Sequence, residues 1–342
     1  MNGGVTFVDP VAPRPYSGAP GALAGLGGTE STLVRVCESL SAHMPVRVRQ
    51  TARQLPVEIA GGVSYADLDL RRPLPENPDR IVVVNSLKVA PKLARLHPHA
   101  RVHVWLHVFP GRHTLRLAPA LKAHGVDIIC VSRSQARWLE CELGDDAPPI
   151  THVHNPIADD LAPDGTARDP NLLLFASSPH KGLAQVFERF ERLKIRFPDL
   201  RLAVADPGYL DWPTGRIPEG VLPLGRLSQP DLIDWMRRAL CLFYPQDHFA
   251  ETFGLVIAEA NAVGCAALLH RGLGANDEVA SGPGQCIDTT DADAIAARIA
   301  DWRAAAPATP FAEPRPEFRL SHVAAQWARL LETVPQATRA TA

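Results

Sequence analysis

Short apolar, β-branched runs alternate with helix-like segments along almost the whole of this chain. The strand-like runs form one series at residues 5–8, 46–49, 81–84, 101–107, 126–131 and 152–154, and a second at residues 172–176, 200–205, 221–223, 240–244 and 266–270. Strands that are apolar on both faces belong in parallel sheets covered by helices on each side. The alternation therefore predicts an α/β fold, and 342 residues favour two doubly wound domains over one.

The two series of strands are separated by NPIADDLAPDGTARDPN, residues 155–171, whose Asp, Pro and Gly content is typical of a linker. We expect an N-terminal domain over residues 1–158 and a C-terminal domain over residues 159–318. Two such domains are expected to face a ligand cleft at the carboxyl ends of their strands. A last helix is expected within residues 319–334, packing back toward the N-terminal domain, and residues 335–342 are expected to be a disordered tail.

The charge balance gives no general reason to expect nucleic acid as a partner, because the net charge is only −2. Residues 1–157 hold 17 Lys and Arg against 13 Asp and Glu, which suits an anionic ligand or a membrane surface, although ordinary scatter is the alternative. The six cysteines form no C-x-x-C pair, and no signal peptide or membrane span is recognisable. We therefore expect a cytoplasmic protein, with peripheral contact at the inner face of a membrane through the N-terminal domain.

The strongest chemical motif is ETFGLVIAEANAVGC, in which seven residues separate Glu251 from Glu259. If Glu251 caps the start of a helix, Glu259 lies two turns later and both carboxylates address one side of it. The strand-like run CLFYP leads into the motif, so it begins at the carboxyl end of a strand, where α/β domains bind ligands. The alternative interpretation is a buried helix with one capping and one solvated glutamate.

This motif and its surroundings, FYPQDHFAETFGLVIAEANAVGCAALLHRGLGANDEV, resemble the retaining family 4 glycosyltransferases (glycosyl transferases group 1). The resemblance implies a GT-B fold with two Rossmann-like domains. It also implies that Glu251 contacts the donor sugar hydroxyls and that Glu259 holds the ribose hydroxyls. At the predicted helix start, backbone amides would face the donor diphosphate; these belong to Thr252, Phe253 and Gly254.

A glycine-rich segment, GLGGTE, follows the first predicted strand and opens a helix. Gly27 and Gly28 let the backbone approach a phosphate, and the resemblance implies that this loop contacts the donor phosphate or the acceptor. We place Gly27 and Gly28 in the donor site and Glu30 on the acceptor side. A flexible turn with Thr29 as the helix cap is the alternative interpretation.

The segment LLLFASSPHKGL places Lys181 in the loop after the first strand of the C-terminal domain. An ammonium group there can neutralise a leaving diphosphate, and a solvated lysine at a helix start is the alternative. Family members typically carry an arginine five residues before this lysine, where this chain has Ala176. The alternatives for a residue that compensates for this arginine are Ser177, Ser178, His180 or Arg226. Of these, we place Ser177, Ser178 and Arg226 in the donor site.

A histidine-rich strand, RVHVWLHVFPGRH, ends at His107. The resemblance implies that His107 lies beside the reacting sugar, and we place Phe109 and Arg112 on the acceptor side. A buried, hydrogen-bonded histidine is the alternative interpretation. No carboxylate or cysteine joins the histidines at ligand spacing, so a metal site is not expected; the histidines concerned are His97, His99, His103 and His107.

Together these motifs predict a metal-independent site for glycosyl transfer without a cofactor, and the resemblance implies a hexosyltransferase that retains the anomeric configuration. Its partners would be a nucleotide-sugar donor and a glycan, lipid-linked or small-molecule acceptor, in polysaccharide or glycoconjugate biosynthesis. One alternative is another GT-B enzyme, either a sugar-nucleotide epimerase or a phosphorylase. The other is a non-catalytic sugar- or nucleotide-binding module, which would be expected to lose Glu251 or Lys181, whereas both are present.

Overall fold

Two compact units make up the computed structural model, which describes residues 4–22, 26–208, 215–306 and 312–332. Unit 1 consists of residues 1–156 together with residues 317–342, and unit 2 consists of residues 157–316. The tail predicted to be disordered, residues 335–342, lies outside the described residues. Within the described ranges, no helix is long and apolar enough to cross a membrane.

Unit 1 is built on an eight-stranded sheet with the order β3-β4-β2-β1-β5-β6-β7-β8. The strands are β1 (Val5–Asp9), β2 (Val46–Gln50), β3 (Glu58–Ala60), β4 (Val63–Asp67), β5 (Arg80–Val84), β6 (Arg101–Leu106), β7 (Asp127–Cys130) and β8 (Ile150–His152). Its helices are α1 (Gly28–Ser41), α2 (Val89–Leu96), α3 (Arg112–Leu115), α4 (Ala118–Ala123), α5 (Arg133–Leu143) and, after the helices of unit 2, α11 (Leu320–Glu332). All neighbouring strands are parallel except β3 and β4.

The core of unit 1 is aromatic at its centre. Every residue of the central strand β1 is buried, as expected for a parallel strand covered on both faces. Phe7 of β1, Trp105 of β6 and Trp327 of α11 pack edge to face, with ring centroids 4.7–6.1 Å apart. The last helix of the described chain therefore contributes a core residue to the unit that begins the chain.

The hairpin formed by β3 and β4 is not among the strands predicted from the sequence. Its antiparallel register pairs Glu58 with Tyr65 and Ala60 with Val63. A two-glycine turn, Gly61–Gly62, joins the strands, and a Gly-Gly pair between β-type runs is a recognised hairpin signal. The three residues of β3 are too few to show an alternating pattern, so only the turn could have revealed it.

Unit 2 is built on a six-stranded sheet with the order β11-β10-β9-β12-β13-β14, and all of its strand pairs are parallel. The strands are β9 (Asp169–Ala176), β10 (Arg201–Ala205), β11 (Val221–Gly225), β12 (Ala239–Tyr244), β13 (Ala267–His270) and β14 (Cys286–Ile287). The helices are α6 (Leu183–Arg196), α7 (Gln229–Arg238), α8 (Leu255–Ala262), α9 (Asn276–Val279) and α10 (Ala292–Ala305). The strand order reverses direction between β9 and β12, which makes the gap between these strands a topological switch point.

A buried arginine ties the helices of unit 2 to its sheet. The guanidinium group of Arg168 donates hydrogen bonds to the carbonyl groups of Met236, Ala239 and Val263, at 2.9–3.4 Å. These carbonyls lie at the end of α7, at the start of β12 and at the end of α8. Helix ends leave carbonyl groups without intrahelical partners, so Arg168 satisfies groups that would otherwise be buried and unpaired.

Candidate active site in the C-terminal unit

Lys181 and Glu251 meet at the switch point of unit 2. The parallel register of β9 and β12, with Leu174 beside Leu242, brings the loops after the two strands together. The Lys181 ammonium nitrogen lies 3.0 Å from Oε1 and 3.1 Å from Oε2 of Glu251. The Lys181 side chain keeps 23% of its surface exposed and the Glu251 side chain only 8%. A buried carboxylate thus faces a cation that reaches solvent, at the place where α/β sheets bind ligands.

Tyr244, the last residue of β12, is a second partner of Glu251. Its buried hydroxyl donates a hydrogen bond of 3.0 Å to Glu251 Oε1. Burial raises the pKa of Tyr244 well above its ordinary range, and the Glu251 carboxylate raises it further. The polar side chains of Ser177 and Gln246 act on this hydroxyl in the opposite direction and lower the pKa of Tyr244. Because the net shift is upward, the phenol stays protonated and remains a donor to the carboxylate.

Phe249 and His180 surround the Lys181 ammonium group. The Gln246 side chain shapes the loop after β12 by accepting the backbone N–H of Phe249 at 2.7 Å and donating to its carbonyl at 2.8 Å. The Phe249 ring centroid then lies 4.8 Å from the Lys181 nitrogen, within cation–π range. His180 packs edge-on against the same ring, and its Nδ1 lies 2.9 Å from Ser178 Oγ. Burial, with Lys181 second, lowers the pKa of His180.

The helix after Glu251 starts later than the sequence predicted. Gly254 adopts a left-handed conformation with φ of 91° and is the N-cap of α8. Glu251 therefore lies three residues before the cap and does not cap the helix. Thr252 and Phe253, predicted to open the helix, lie in the loop before it. Lys181 lies in the loop after β9, where it ends a 3-10 turn that precedes α6.

Glu259 is a buried residue in the middle of α8. The rest of this short helix is largely apolar. Charged side chains are rarely so buried unless they make polar contacts. Both glutamates follow the carboxyl end of β12. Glu251 lies in the loop before α8, whereas Glu259 lies within the helix.

Gly274 supports the backbone of Glu251 from the loop after β13. The Ala275 N–H donates to the Glu251 carbonyl at 2.9 Å. A Cβ atom on Gly274 would lie 2.4 Å from that carbonyl oxygen and 2.8 Å from the Glu251 nitrogen. Gly274 also has a φ of 56°. Only glycine fits this position without moving Glu251.

Arg226 lies apart from the other predicted donor-site residues of unit 2. It follows β11, and β10 separates β11 from β9 in the sheet. Two strand spacings amount to about 10 Å. Ser177 and Ser178, in contrast, directly follow β9 and join the network around Lys181.

In unit 1, His107 follows the end of β6 and is buried. Its backbone N–H donates to Asn85 Oδ1 at 2.7 Å, and its ring lies 4.3 Å from the Trp105 ring. Burial lowers the pKa of His107 to about 3, so the imidazole is neutral at physiological pH. Asn85, which was not predicted as a site residue, lies at the carboxyl end of β5 and has a φ of 54°.

The other predicted residues of unit 1 fall into two places. Gly27 is the N-cap of α1, Gly28 is its first residue, and Glu30 lies in its first turn. Burial raises the pKa of Glu30. Phe109 packs edge-on against Trp138 with centroids 4.8 Å apart, and Arg112 begins α3 and is exposed.

The histidines of unit 1 are engaged in separate contacts. His97 Nε2 accepts the Leu74 N–H at 2.9 Å, and His103 Nδ1 lies 3.6 Å from Asp127. In the part of the chain that the structure describes, no group of three or more His, Cys, Asp or Glu side chains is arranged to hold a metal ion.

Residues 160–306 match the family model described as "Glycosyl transferases group 1". This range contains Lys181, Tyr244, Glu251 and Glu259. The resemblance that the motifs suggested is thereby confirmed, and the chain is a glycosyltransferase whose group 1 domain holds the Lys181–Glu251 pair.

Curated relatives of this glycosyltransferase include two mannosyltransferases. The phosphatidyl-myo-inositol mannosyltransferase of Mycobacterium tuberculosis (strain CDC 1551 / Oshkosh) is 26% identical over 272 residues, which cover 71% of this chain and 70% of the relative. That of Mycolicibacterium smegmatis is 27% identical over 235 residues, covering 66% of this chain and 59% of the relative. The latter match spans less than two thirds of the relative's length.

Similar solved structures show the fold. The crystal structure of TarM has a TM-score of 0.56 at 12% identity, over 74% of this chain and 55% of that chain, so this chain spans little more than half of TarM. The UDP-GlcNAc 2-epimerase from Methanocaldococcus jannaschii has a TM-score of 0.52 at 9% identity, over 96% of this chain and 99% of that chain. The predicted GT-B class with two Rossmann-like units is confirmed.

Proposed function

We propose that this glycosyltransferase moves a hexosyl group from a nucleotide-sugar donor to an acceptor with retention of anomeric configuration. The observation that carries the proposal is the Lys181–Glu251 pair at the switch point of the group 1 domain. A glycosyl transfer needs positive charge near the leaving diphosphate and polar groups on the sugar. Lys181 supplies the positive charge and Glu251 supplies a polar group, and the two lie side by side.

Each residue of the site has a proposed role. Lys181 neutralises the charge that grows on the leaving diphosphate, because a preorganised cation stabilises the transition state more than the ground state. Glu251 accepts hydrogen bonds from donor sugar hydroxyls, and Glu259 does so from the ribose hydroxyls. His107, which is neutral at physiological pH, is proposed to hydrogen-bond the transferred sugar.

We propose that transfer requires neither a metal ion nor a cofactor. Lys181 and backbone amides before and at the start of α8 are the groups proposed to meet the diphosphate charge. Transfer should therefore continue in excess EDTA. Activity that EDTA abolishes and that Mg²⁺ or Mn²⁺ restores would contradict this part of the proposal.

The decisive experiment is a panel of UDP-, GDP-, ADP- and dTDP-sugars incubated with candidate acceptors. Because the curated relatives are phosphatidyl-myo-inositol mannosyltransferases, mannosyl donors and inositol lipids head the panel. Glycans and small molecules complete the acceptor set. Transfer with retention, read from the anomeric NMR signals of the product, supports the proposal, and inversion contradicts retention.

The same incubations test the epimerase alternative. The epimerase from Methanocaldococcus jannaschii shares the fold, but at 9% identity that likeness carries no activity, and the family match favours transfer. An epimerase converts the donor sugar without an acceptor and without releasing nucleoside diphosphate. Release of the diphosphate that depends on an acceptor identifies a transferase.

Peripheral membrane contact through unit 1 is also proposed. The support is the excess of Lys and Arg in residues 1–157 and three exposed apolar side chains beside β3. These are Leu55, Val57 and Ile59, which are 56%, 64% and 78% exposed. Sedimentation with vesicles of phosphatidylcholine and phosphatidylserine tests the contact. Replacing Val57 and Ile59 with serine should weaken it, and binding that is equal for both proteins would contradict it.

A further inference from the structure

Glu251 has two partners with different freedom to move. The Lys181 side chain is partly exposed and reaches the carboxylate at the end of a flexible four-carbon stem. The Tyr244 hydroxyl is buried at the end of β12, on a side chain that is only 1% exposed. A lysine can leave this arrangement through side-chain rotation alone. The tyrosine cannot leave without disturbing the sheet.

Under the proposed function, Lys181 has to serve two anions in turn. In the unliganded site its ammonium group lies within 3.1 Å of both Glu251 oxygens. A donor diphosphate competes for the same cation. When Lys181 turns to the diphosphate, the Glu251 carboxylate loses a charged partner while remaining buried. A buried carboxylate without compensation is costly.

We propose that Tyr244 is a positioning residue that holds the Glu251 carboxylate when Lys181 transfers to the donor diphosphate. This inference rests on the proposed function. The Tyr244 hydroxyl compensates the carboxylate with a hydrogen bond to a charged acceptor, one of the stronger kinds. It also keeps Glu251 Oε1 fixed at 3.0 Å, so that the carboxylate stays oriented toward the sugar hydroxyls. Tyr244 thereby couples diphosphate binding to the placement of Glu251.

The test is a double-mutant cycle in the full chain, with nucleoside diphosphate affinity as the readout. Calorimetry with UDP, GDP, ADP and dTDP first identifies the diphosphate that the wild-type protein binds. Its affinity is then measured for Tyr244→Phe, Glu251→Gln and the double variant. Tyr244→Phe should bind the diphosphate about tenfold more weakly, because its Glu251 carboxylate has neither the tyrosine hydroxyl nor the ammonium group as a partner once Lys181 has moved.

The Glu251→Gln variant separates positioning from a structural effect. Its neutral amide releases Lys181, so the diphosphate should bind at least as tightly as to wild type. In that background Tyr244→Phe should change the affinity by less than about twofold, because no buried charge is left to compensate. Tyr65→Phe, which deletes another buried tyrosine hydroxyl in β4 of unit 1, is the control and should leave the affinity unchanged.

Two results would overturn the inference. One is equal weakening by Tyr244→Phe in the presence and absence of the Glu251 charge, which would make the tyrosine merely structural. The other is wild-type affinity in Tyr244→Phe. If none of the four diphosphates binds the wild-type protein, the proposed function itself fails, and this outcome is distinct because it appears before any variant is compared.

Discussion

Lys181 and Glu251 are 70 residues apart along the chain, yet a single ammonium nitrogen contacts both oxygens of the carboxylate. The contact exists because β9 and β12 become neighbours only when the sheet of unit 2 reverses its strand order. Lys181 follows the strand on one side of the switch point, and Glu251 follows the strand on the other. The chemistry of the site is therefore a product of the sheet topology.

Replacing Lys181 with alanine should slow transfer, and it should also lower the melting temperature because the buried Glu251 carboxylate loses its charged partner. Loss of one preorganised group at a developing charge typically costs about 10²–10³ in kcat. Lys194→Ala, which removes the ammonium group of a lysine on α6 of the same unit, serves as the control and should retain wild-type kcat. Steady-state kinetics and melting curves on both variants make the comparison. A Lys181→Ala enzyme with wild-type kcat would place the diphosphate elsewhere.

Replacing Glu259 should affect donor binding more than chemistry. Contacts to the ribose hold the ground state and the transition state alike, so their loss raises KM and leaves kcat less changed. We expect Glu259→Gln, which preserves the shape of this buried side chain, to raise the donor KM by about tenfold. Steady-state rates at increasing donor concentration measure this KM. A fall in kcat at constant KM would instead assign Glu259 to the chemical step.

Two glycines after β13 offer a matched pair of variants. Gly272 and Gly274 both have positive φ, 75° and 56°, so alanine strains the backbone at each, by about 1 kcal/mol. A Cβ on Gly272 meets nothing within 4 Å, whereas one on Gly274 meets the Glu251 backbone at 2.4 Å. Both variants should melt earlier, but only Gly274→Ala should lose transfer activity. Equal kinetics in the two variants would show that the Glu251 backbone tolerates displacement.

Acid should destabilise unit 1 through His107. Burial lowers the pKa of His107 from 6.5 to about 3, so below pH 6.5 the unfolded chain gains a proton that the folded protein does not. The stability that the neutral His107 contributes is therefore present above pH 6.5 and is lost as the pH falls toward 3. Lowering the pH from 7 to 5 should reduce the free energy of unfolding by about 2 kcal/mol for one such histidine.

Denaturant titrations at the two pH values, followed by tryptophan fluorescence, measure this loss. His107→Phe keeps an aromatic ring beside Trp105 but cannot titrate, so its loss should be smaller by about the same amount. His103, whose pKa burial lowers to about 4, contributes equally to both proteins. The same pH dependence in both would contradict the assignment to His107.

Replacing Arg168 should weaken unit 2 as a whole. Its guanidinium group serves the carbonyl groups of Met236, Ala239 and Val263, and buried acceptors that lose their partners cost about 1–3 kcal/mol each. We expect Arg168→Ala to lose about 3 kcal/mol or more in denaturant unfolding. Arg192→Ala, which breaks only an exposed pair with Glu188, should change stability by less than about 0.5 kcal/mol. Similar losses of stability in the two variants would contradict the role of Arg168 in joining the helices of unit 2 to its sheet.

The sequence predicted the strands and the chemistry better than the turns between them. Lys181 and Glu251 could be placed at strand ends because apolar strands are easy to recognise and their carboxyl ends share one edge. The predicted start of α8 was wrong because Thr252 and Phe253 lead without interruption into the apolar pattern of the helix. The helix begins only after Gly254, whose backbone is left-handed. A glycine permits such a change in φ, but its presence alone does not establish that the change occurs.

Tyr244 and Arg226 show a second limit. Tyr244 ends an apolar run and is typical of core packing; only the need of a buried hydroxyl for a partner marked it as polar. Arg226 follows a predicted strand like Ser177 does, but the order of strands in the sheet decides which loops meet. That order depends on long-range pairing, which no local pattern records.

The ring of Trp327 fills the centre of unit 1 against Phe7 and Trp105. The core of unit 1 is therefore completed only after the whole of unit 2 has been synthesised. Domains generally fold as they emerge, N-terminal first, but here the first half lacks a core residue until the last helix leaves the ribosome. Unit 2, made of one continuous stretch, has every strand of its sheet before that moment. The group 1 domain can thus complete its sheet before the helix that supplies Trp327 has been synthesised.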